Sequence, residues 1–372
     1  MSAITVSLRT IQKPHLAIAV AMSAGGLVYL HGAGTEKAVL FGIGLAMGLA
    51  LYHATFGFTG AYRRALINKD MAGIAAQAIM LGLAMFLFAP VLSAGEVFGH
   101  RVGGAVAPVS LSMAFGAFVF GIGMQLGGGC ASGTLFTVGG GSARMLVVLI
   151  FFCLGCFWAT FDIGWWMTLP GIGAVSLARE LGWPAALALQ SAILGAILFV
   201  AIRSGTGIDR RLLIAAIALA LLNWATLLVA GHPWSITWGF TLWAAKAASF
   251  AGWEHTMHAF WVDGFPERAL KRPLLTDTTS VMNFGILIGA FATAALAGKL
   301  RPGPRVPLGS LLAAVIGGLM MGYGARLAYG CNIGAFFSGV ASTSLHGWVW
   351  IIAAGLGNVI GVRLRPRFGL RN

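Results

Sequence analysis

The sequence predicts an all-α fold: a polytopic transmembrane helical bundle with an inverted internal repeat and re-entrant Gly-rich loops. Three observations carry this expectation. Of 372 residues, 58% are apolar and only 9% charged, against about 25% charged in soluble domains. The apolar residues fall in unbroken runs long enough for a hydrocarbon core of about 30 Å. Two Gly-Cys segments match at an offset of 201 residues. With a mean hydropathy of +0.88, an ordinary water-soluble enzyme, a disordered chain and a small disulfide scaffold are excluded. A membrane barrel would show weak alternation over strands of about ten residues instead.

Ten spans are expected, over residues 15–31, 38–55, 72–93, 108–125, 143–161, 184–202, 212–230, 279–298, 308–324 and 347–364. The first is read as a membrane helix rather than a signal sequence, because no A-x-A site follows Leu30. Residues 1–372 form one integral membrane domain, with a first repeat over 38–161, a linking span at 184–202 and a second repeat over 212–364. If segment 239–260 crosses fully, the topology after it inverts.

The 24 basic and 10 acidic residues give a net charge of +14. In an apolar chain this excess is read as topology rather than nucleic-acid binding. With the N-terminus placed in the cytoplasm, sixteen Lys and Arg fall inside, including Arg9, Lys13, Arg144, Arg203, Arg301, Arg305 and Arg363, and six fall outside. The C-terminus is then cytoplasmic too, as expected of a multi-pass bacterial inner-membrane protein. The outside cluster Arg268, Lys271 and Arg272 is the main exception.

The repeat holds the chemistry. Gly116-AFVF-Gly121-I-Gly123 leads to Gly129-Cys130-AS-Gly133, and Gly317-GLMM-Gly322-Y-Gly324 leads to Gly330-Cys331-NI-Gly334. A weaker pair is Phe56-GFTG-Ala61 with Trp238-GFTLWAA-Lys246, and Gly57 stands where Cys130 stands at an offset of 73. Each half thus carries two Gly-rich breaks. In the assumed topology the breaks near 57 and 130 open from the cytoplasm, and those near 239 and 331 from outside. Non-helical backbone at membrane depth is tolerated only where it is buried in protein or lines a cavity. Short helices after such breaks aim backbone N–H groups inward, which suits an anion. Ser132, Thr134, Asn332 and Ser338 add donors.

Several readings of the cysteines stay open. Each is a small apolar filler, or Cys130 and Cys331 face one axis from opposite sides. A zinc or iron–sulfur site needs about four suitably spaced ligands, and no cofactor or metal is expected. Cys153 and Cys156 form a C-x-x-C in an unbroken apolar helix: packing, or the pair of a membrane-embedded thiol redox enzyme. A neutral S–H in a narrow path donates weakly to a soft anion without trapping it. A channel for small neutral solutes, with the breaks as filter, is a further alternative. No Walker motif is present, so direct ATP use is not expected.

The Gly-Cys breaks, Pro233-WSITWGFTLWAAK-246 and Asp277-TTSVMNFGILIGA-290 resemble the YeeE/YedE membrane family over about residues 38–364. That resemblance implies a transporter, not an enzyme, for thiosulfate or a related small sulfur-containing anion, with Cys130 and Cys331 as pathway cysteines. It also implies a cytosolic TusA-like sulfurtransferase as partner, besides the lipid bilayer. The family pattern places a cysteine at the early motif, where this chain has Gly57.

Other polar residues have two readings each. Arg326, opposite Gln125 in the repeat, and Lys246 either attract an anion or snorkel to an interface. Asp277 and Asn283 cap or bridge helices, or face a wet cavity. His53, His255 and His258 are interfacial or titrating. The tryptophans fit aromatic belts or packing.

Overall fold

The structure is a computed structural model that describes residues 11–300 and 306–371. Arg9, Arg301 and Arg305, counted in the charge asymmetry, lie outside the described residues. The helices are α1 Lys13–Ala33, α2 Thr35–Ala54, α3 Phe58–Asn68, α4 Ala72–Ala94, α5 Leu111–Gly127, α6 Ala131–Gly139, α7 Ala143–Trp166, α8 Leu177–Leu181 and α9 Trp183–Arg203. They continue with α10 Arg210–Ala230, α11 Thr237–Phe250, α12 Ala259–Val262, α13 Gly264–Lys271, α14 Thr278–Leu296, α15 Leu308–Leu327, α16 Ser338–Ala341 and α17 Leu345–Leu364. Strand pairing is confined to two short antiparallel pairs among the described residues, joining 96–97 to 100–101 and 108–110 to 171–174.

Ten described helices or broken helices are long and apolar enough to cross a membrane. Seven match the expected spans to within about five residues, the other three (35–68, 111–139 and 308–341) run on through a break past the expected ends, and the fold is an all-α polytopic bundle. Their ends follow local chemistry. The Ser110, Ser142 and Asp277 side chains accept from the N–H of Met113, Met145 and Ser280 at the starts of α5, α7 and α14. Pro14 and Pro184 sit in the first turns of α1 and α9, where no N–H is needed.

Contacts between chain-distant residues define two ends. The Gln12 N–H donates to the Ala295 carbonyl (3.1 Å), so α1 starts where α14 stops. The Arg144 Nε donates to Ser310 Oγ (2.8 Å), so α7 and α15 start together. A Cβ at Gly309 would meet the Phe368 carbonyl oxygen at 2.8 Å, so α17 stops there too. Both described termini therefore lie at one end, the terminal end. At the far end the Lys37 Nζ donates to Thr278 Oγ1 (2.7 Å), and the Gly103 N–H to the Gly231 carbonyl (2.8 Å).

Residues 231–277 leave and return at the far end, so segment 239–260 does not cross. At 14 residues α11 is too short to span on its own. The break expected near 239 lies upstream, at 231–236. Gly231 adopts φ +73 and Pro233 lacks an N–H, so the helix resumes only at Thr237.

The packing is set by glycine. A Cβ at Gly123 would stand 2.8 Å from the Gly317 oxygen, and one at Gly116 2.7 Å from the Gly324 oxygen. The two glycine rows thus let α5 and α15 cross backbone to backbone at the centre. Gly121 lies against the Ala354 carbonyl of α17, and Gly322 against Phe152 and Cys156 of α7. Corresponding elements exchange partners: α2 packs on α14 as α10 packs on α4, and α7 on α15 as α17 on α5. Corresponding helices also run oppositely. Helix α5 ends at the terminal end, whereas α15 starts there.

Candidate functional site

Cys130 stands at the start of α6 and Cys331 at the start of a π-type turn, Asn332–Phe337. Both are buried, at 1% and 0% exposure. Each follows a sharp break. Gly128 (φ +84) closes α5, and Tyr329 (φ 56) with Gly330 (φ +148) closes α15. A Cβ at Gly129 would meet the Thr134 nitrogen at 3.2 Å, and one at Gly330 the Ala335 nitrogen at 2.8 Å. The residue before each cysteine is therefore glycine because the chain doubles back onto the next helical turn.

The second fold-back aims a backbone N–H at sulfur. The Ile333 N–H donates to Cys331 Sγ (3.4 Å). Ser132 Oγ lies 3.3 Å from Cys130 Sγ. Gly133 is itself 3.6 Å, at its absent Cβ, from that sulfur. Gly334 faces Ser235 in the same way, at 3.5 Å from its hydroxyl.

The two breaks meet. Helix α6 touches the 332–337 turn. Tyr62, on α3, joins the second break: its hydroxyl accepts from Asn332 Nδ2 (3.3 Å). Two buried polar atoms here, Thr134 Oγ1 and Asn332 Oδ1, have no protein partner. Buried polar atoms without partners are uncommon in native structures, and here they flank both thiols. The Ser338 hydroxyl instead donates to the Trp234 carbonyl (2.8 Å), with Asn223 completing the knot.

Gly57 caps α3 in extended backbone (φ −130) between buried Phe56 and Phe58. It shapes the break that delivers Tyr62. Lys246 is not brought to the cysteines. Its ammonium donates to the Leu270 and Arg272 carbonyls (2.7 and 2.6 Å), tying α11 to α13. Arg326 lines a cavity of about 300 Å³ on the far side of Cys331, with Cys156, Ser235, Thr241 and Tyr329. Cys153 and Cys156 are free thiols; Cys156 faces that cavity, and Cys153 packs on the core. Asp277 caps α14, and Asn283 donates to the Ile236 carbonyl (3.0 Å).

Two residues read in the sequence only as inside charges have a further role. Arg144 donates to the Leu126 and Gly127 carbonyls (2.8 and 2.6 Å), and Arg365 to that of Gln125 (2.7 Å). Together they close the exposed end of α5 below Cys130. Their forked donors match the last carbonyls and the negative helix end, but only tertiary structure brings them there. Among the described residues no group of three His, Cys, Asp or Glu could hold a metal.

Residues 53–360, most of the chain, match the family Sulf_transp, sulphur transport. The chain belongs to this family. It is a family of membrane transporters, not enzymes, and the YeeE/YedE resemblance of the Gly-Cys breaks is thereby met. The chain is 31% identical over 344 residues to the thiosulfate transporter TsuA of Spirochaeta thermophila, covering 85% of this chain and 95% of the relative. It is 36% identical over 152 residues to the probable transporter YedE of Escherichia coli, covering 40% of this chain and 36% of that protein. The YedE of Salmonella typhimurium matches at 35% over the same length.

Proposed function

We propose that this chain takes up thiosulfate, or a closely related small sulfur anion, across a bacterial inner membrane, with both termini in the cytoplasm. The anion passes between Cys130 and Cys331, which act as neutral S–H donors. The observation that carries the reading is the meeting of the two Gly-Cys breaks, with the Ile333 N–H on the Cys331 sulfur, the Ser132 hydroxyl beside the Cys130 sulfur, and Asn332 tied to Tyr62 between the breaks. Reference thiols titrate near pH 8.5, so each sulfur, in its neutral S–H form, offers a proton without fixed charge. A permanent charge at the same place binds too firmly for release. The similarity to a thiosulfate transporter over most of the chain supports the same substrate class.

The opposed directions of α5 and α15 support an inverted repeat, with the far end facing outward. Arg326 and the cavity beside it then receive the anion, and Gly57, Gly129, Gly133, Gly330 and Gly334 shape the path.

Thiosulfate is a dianion and the cell interior is negative. Inward passage of two charges against 100 mV opposes about 4.6 kcal/mol. A TusA-like cytosolic sulfurtransferase that consumes the anion, or a coupled cation, supplies that difference.

The test is thiosulfate-dependent growth of an uptake-deficient host expressing Cys130→Ala or Cys331→Ala, with membrane abundance measured alongside. Loss of growth at normal abundance is expected. Growth unaffected by both changes refutes the thiol path.

A further inference from the structure

Cys156 was read in the sequence as packing or as half of a redox pair, and the structure gives it different company. It lines the far-end cavity with Ser235, Thr237, Thr241, Arg326 and Tyr329. No carboxylate is among the residues that line this cavity. The Arg326 guanidinium lies over the Phe260 ring, 5.1 Å from its centroid, and its buried Nε has no hydrogen-bond partner. An arginine held by an aromatic face, with an N–H to spare and no acid beside it, is poised for an anion.

The repeat sharpens this. Gln125, the counterpart of Arg326, is fully engaged at its amide nitrogen: Nε2 donates to Asn358 Oδ1 (2.6 Å) and to the Thr59 carbonyl (3.2 Å). One half of the molecule thus carries a tied amide, and the other an unpaired cation over a cavity. Cys156 packs against Gly322, one helical turn before Arg326 on α15.

We infer that this cavity is a receiving site for a two-ended sulfur oxyanion, in which Arg326 holds the oxygens and the Cys156 thiol contacts the terminal sulfur before transfer to Cys331. The inference rests on the thiosulfate reading above. It supplies from α7 the third thiol that Gly57 lacks. It also separates two tasks: Arg326 attracts any oxyanion, and Cys156 discriminates a terminal sulfur from a fourth oxygen.

The experiment measures thiosulfate and sulfate binding to the purified full chain, by competition against radiolabelled thiosulfate. Arg326→Gln is expected to weaken both anions about tenfold, which is about 1.4 kcal/mol. Cys156→Ala is expected to weaken thiosulfate several-fold and leave sulfate unchanged. Cys331→Ala keeps binding at this site while losing uptake. Cys156 is buried at the cavity wall; in the unaltered protein thiosulfate is expected to slow its labelling by a small thiol reagent, read by peptide mass spectrometry, more than sulfate does, and a Cys156 that never labels counts against the inference. This readout needs no variant to fold. An unchanged thiosulfate-to-sulfate ratio in Cys156→Ala, or labelling of Cys156 indifferent to thiosulfate, overturns this inference. If uptake is still lost in Cys130→Ala and Cys331→Ala, the thiol path survives that failure. If uptake persists in both, the path itself fails.

Discussion

Replacing Arg144 by Met removes the fork that closes α5. In the native chain its guanidinium makes three charge-assisted bonds, to the Leu126 carbonyl, the Gly127 carbonyl and Ser310 Oγ, at 2.6 to 2.8 Å. Hydrogen bonds to charged groups contribute about 1.5–3 kcal/mol each, and a stranded buried carbonyl costs about 1–3 kcal/mol. Arg144 is half-buried, so water competes for part of this and the lower values apply. Loss of the favourable cation at a helix C-terminus adds about 0.3–1 kcal/mol. Discounted for that exposure, the total is roughly 3–5 kcal/mol, and the melting temperature in detergent should fall by roughly 6–20 °C at 2–4 °C per kcal/mol. Arg144→Lys keeps the charge but not the fork, and should fall between. A Met variant that melts with the parent would show that the end of α5 needs no such closure, and the account of how Cys130 is positioned would fall with it.

Three further outcomes are expected. Gly121→Leu drives a side chain into the Ala354 carbonyl of α17; it should abolish monodisperse protein on size exclusion, whereas Gly355→Leu, which meets open space, should not. Tyr62→Phe deletes the hydroxyl that accepts from Asn332 and should cost about 1 kcal/mol by thermal melting, with a change in the rate of thiosulfate uptake at equal abundance. Glu267, outside the spans, is held below the ordinary glutamate range mainly by the Lys271 hydrogen bond. Its depressed folded-state value means that its contribution is present above the unfolded range and lost as pH falls through the folded one. The melting difference between the parent and Glu267→Gln should therefore vanish on acidification and shrink with salt, and a pH-independent difference would contradict it.

The spans were legible because each is an uninterrupted apolar run, and runs report on lipid without knowledge of neighbours. The glycine rows were legible as close-approach surfaces, though not which surface each would meet: Gly121 chose α17, Gly322 chose α7. The sequence located both Gly-Cys breaks, because glycine beside a polar cluster is costly inside a helix. It did not disclose Tyr62, since a tyrosine in FTGAYRR carries no mark of the asparagine 270 positions away that it meets. The break expected at 239 lay earlier because Pro233 and Gly231 outweigh the GFT match. Lys246 resembled a pathway cation by position alone; two loop carbonyls from α13 and the residue after it captured its ammonium. The far-end cavity was illegible, being assembled from α7, α11, α15 and the 260–266 stretch.

The exchange of partners between the two halves has a mechanical consequence. Since α2 lies along α14, and α7 along α15, neither half owns a set of helices that could tilt as a block. Rocking one against the other would have to unzip seams in which backbone rests on backbone without side chains to slide over. On the uptake proposed above, a frame so interlocked would serve as a stationary barrier, leaving gating to small groups at the fold-backs: a rotating thiol, a hydroxyl changing partner, a ring stepping aside.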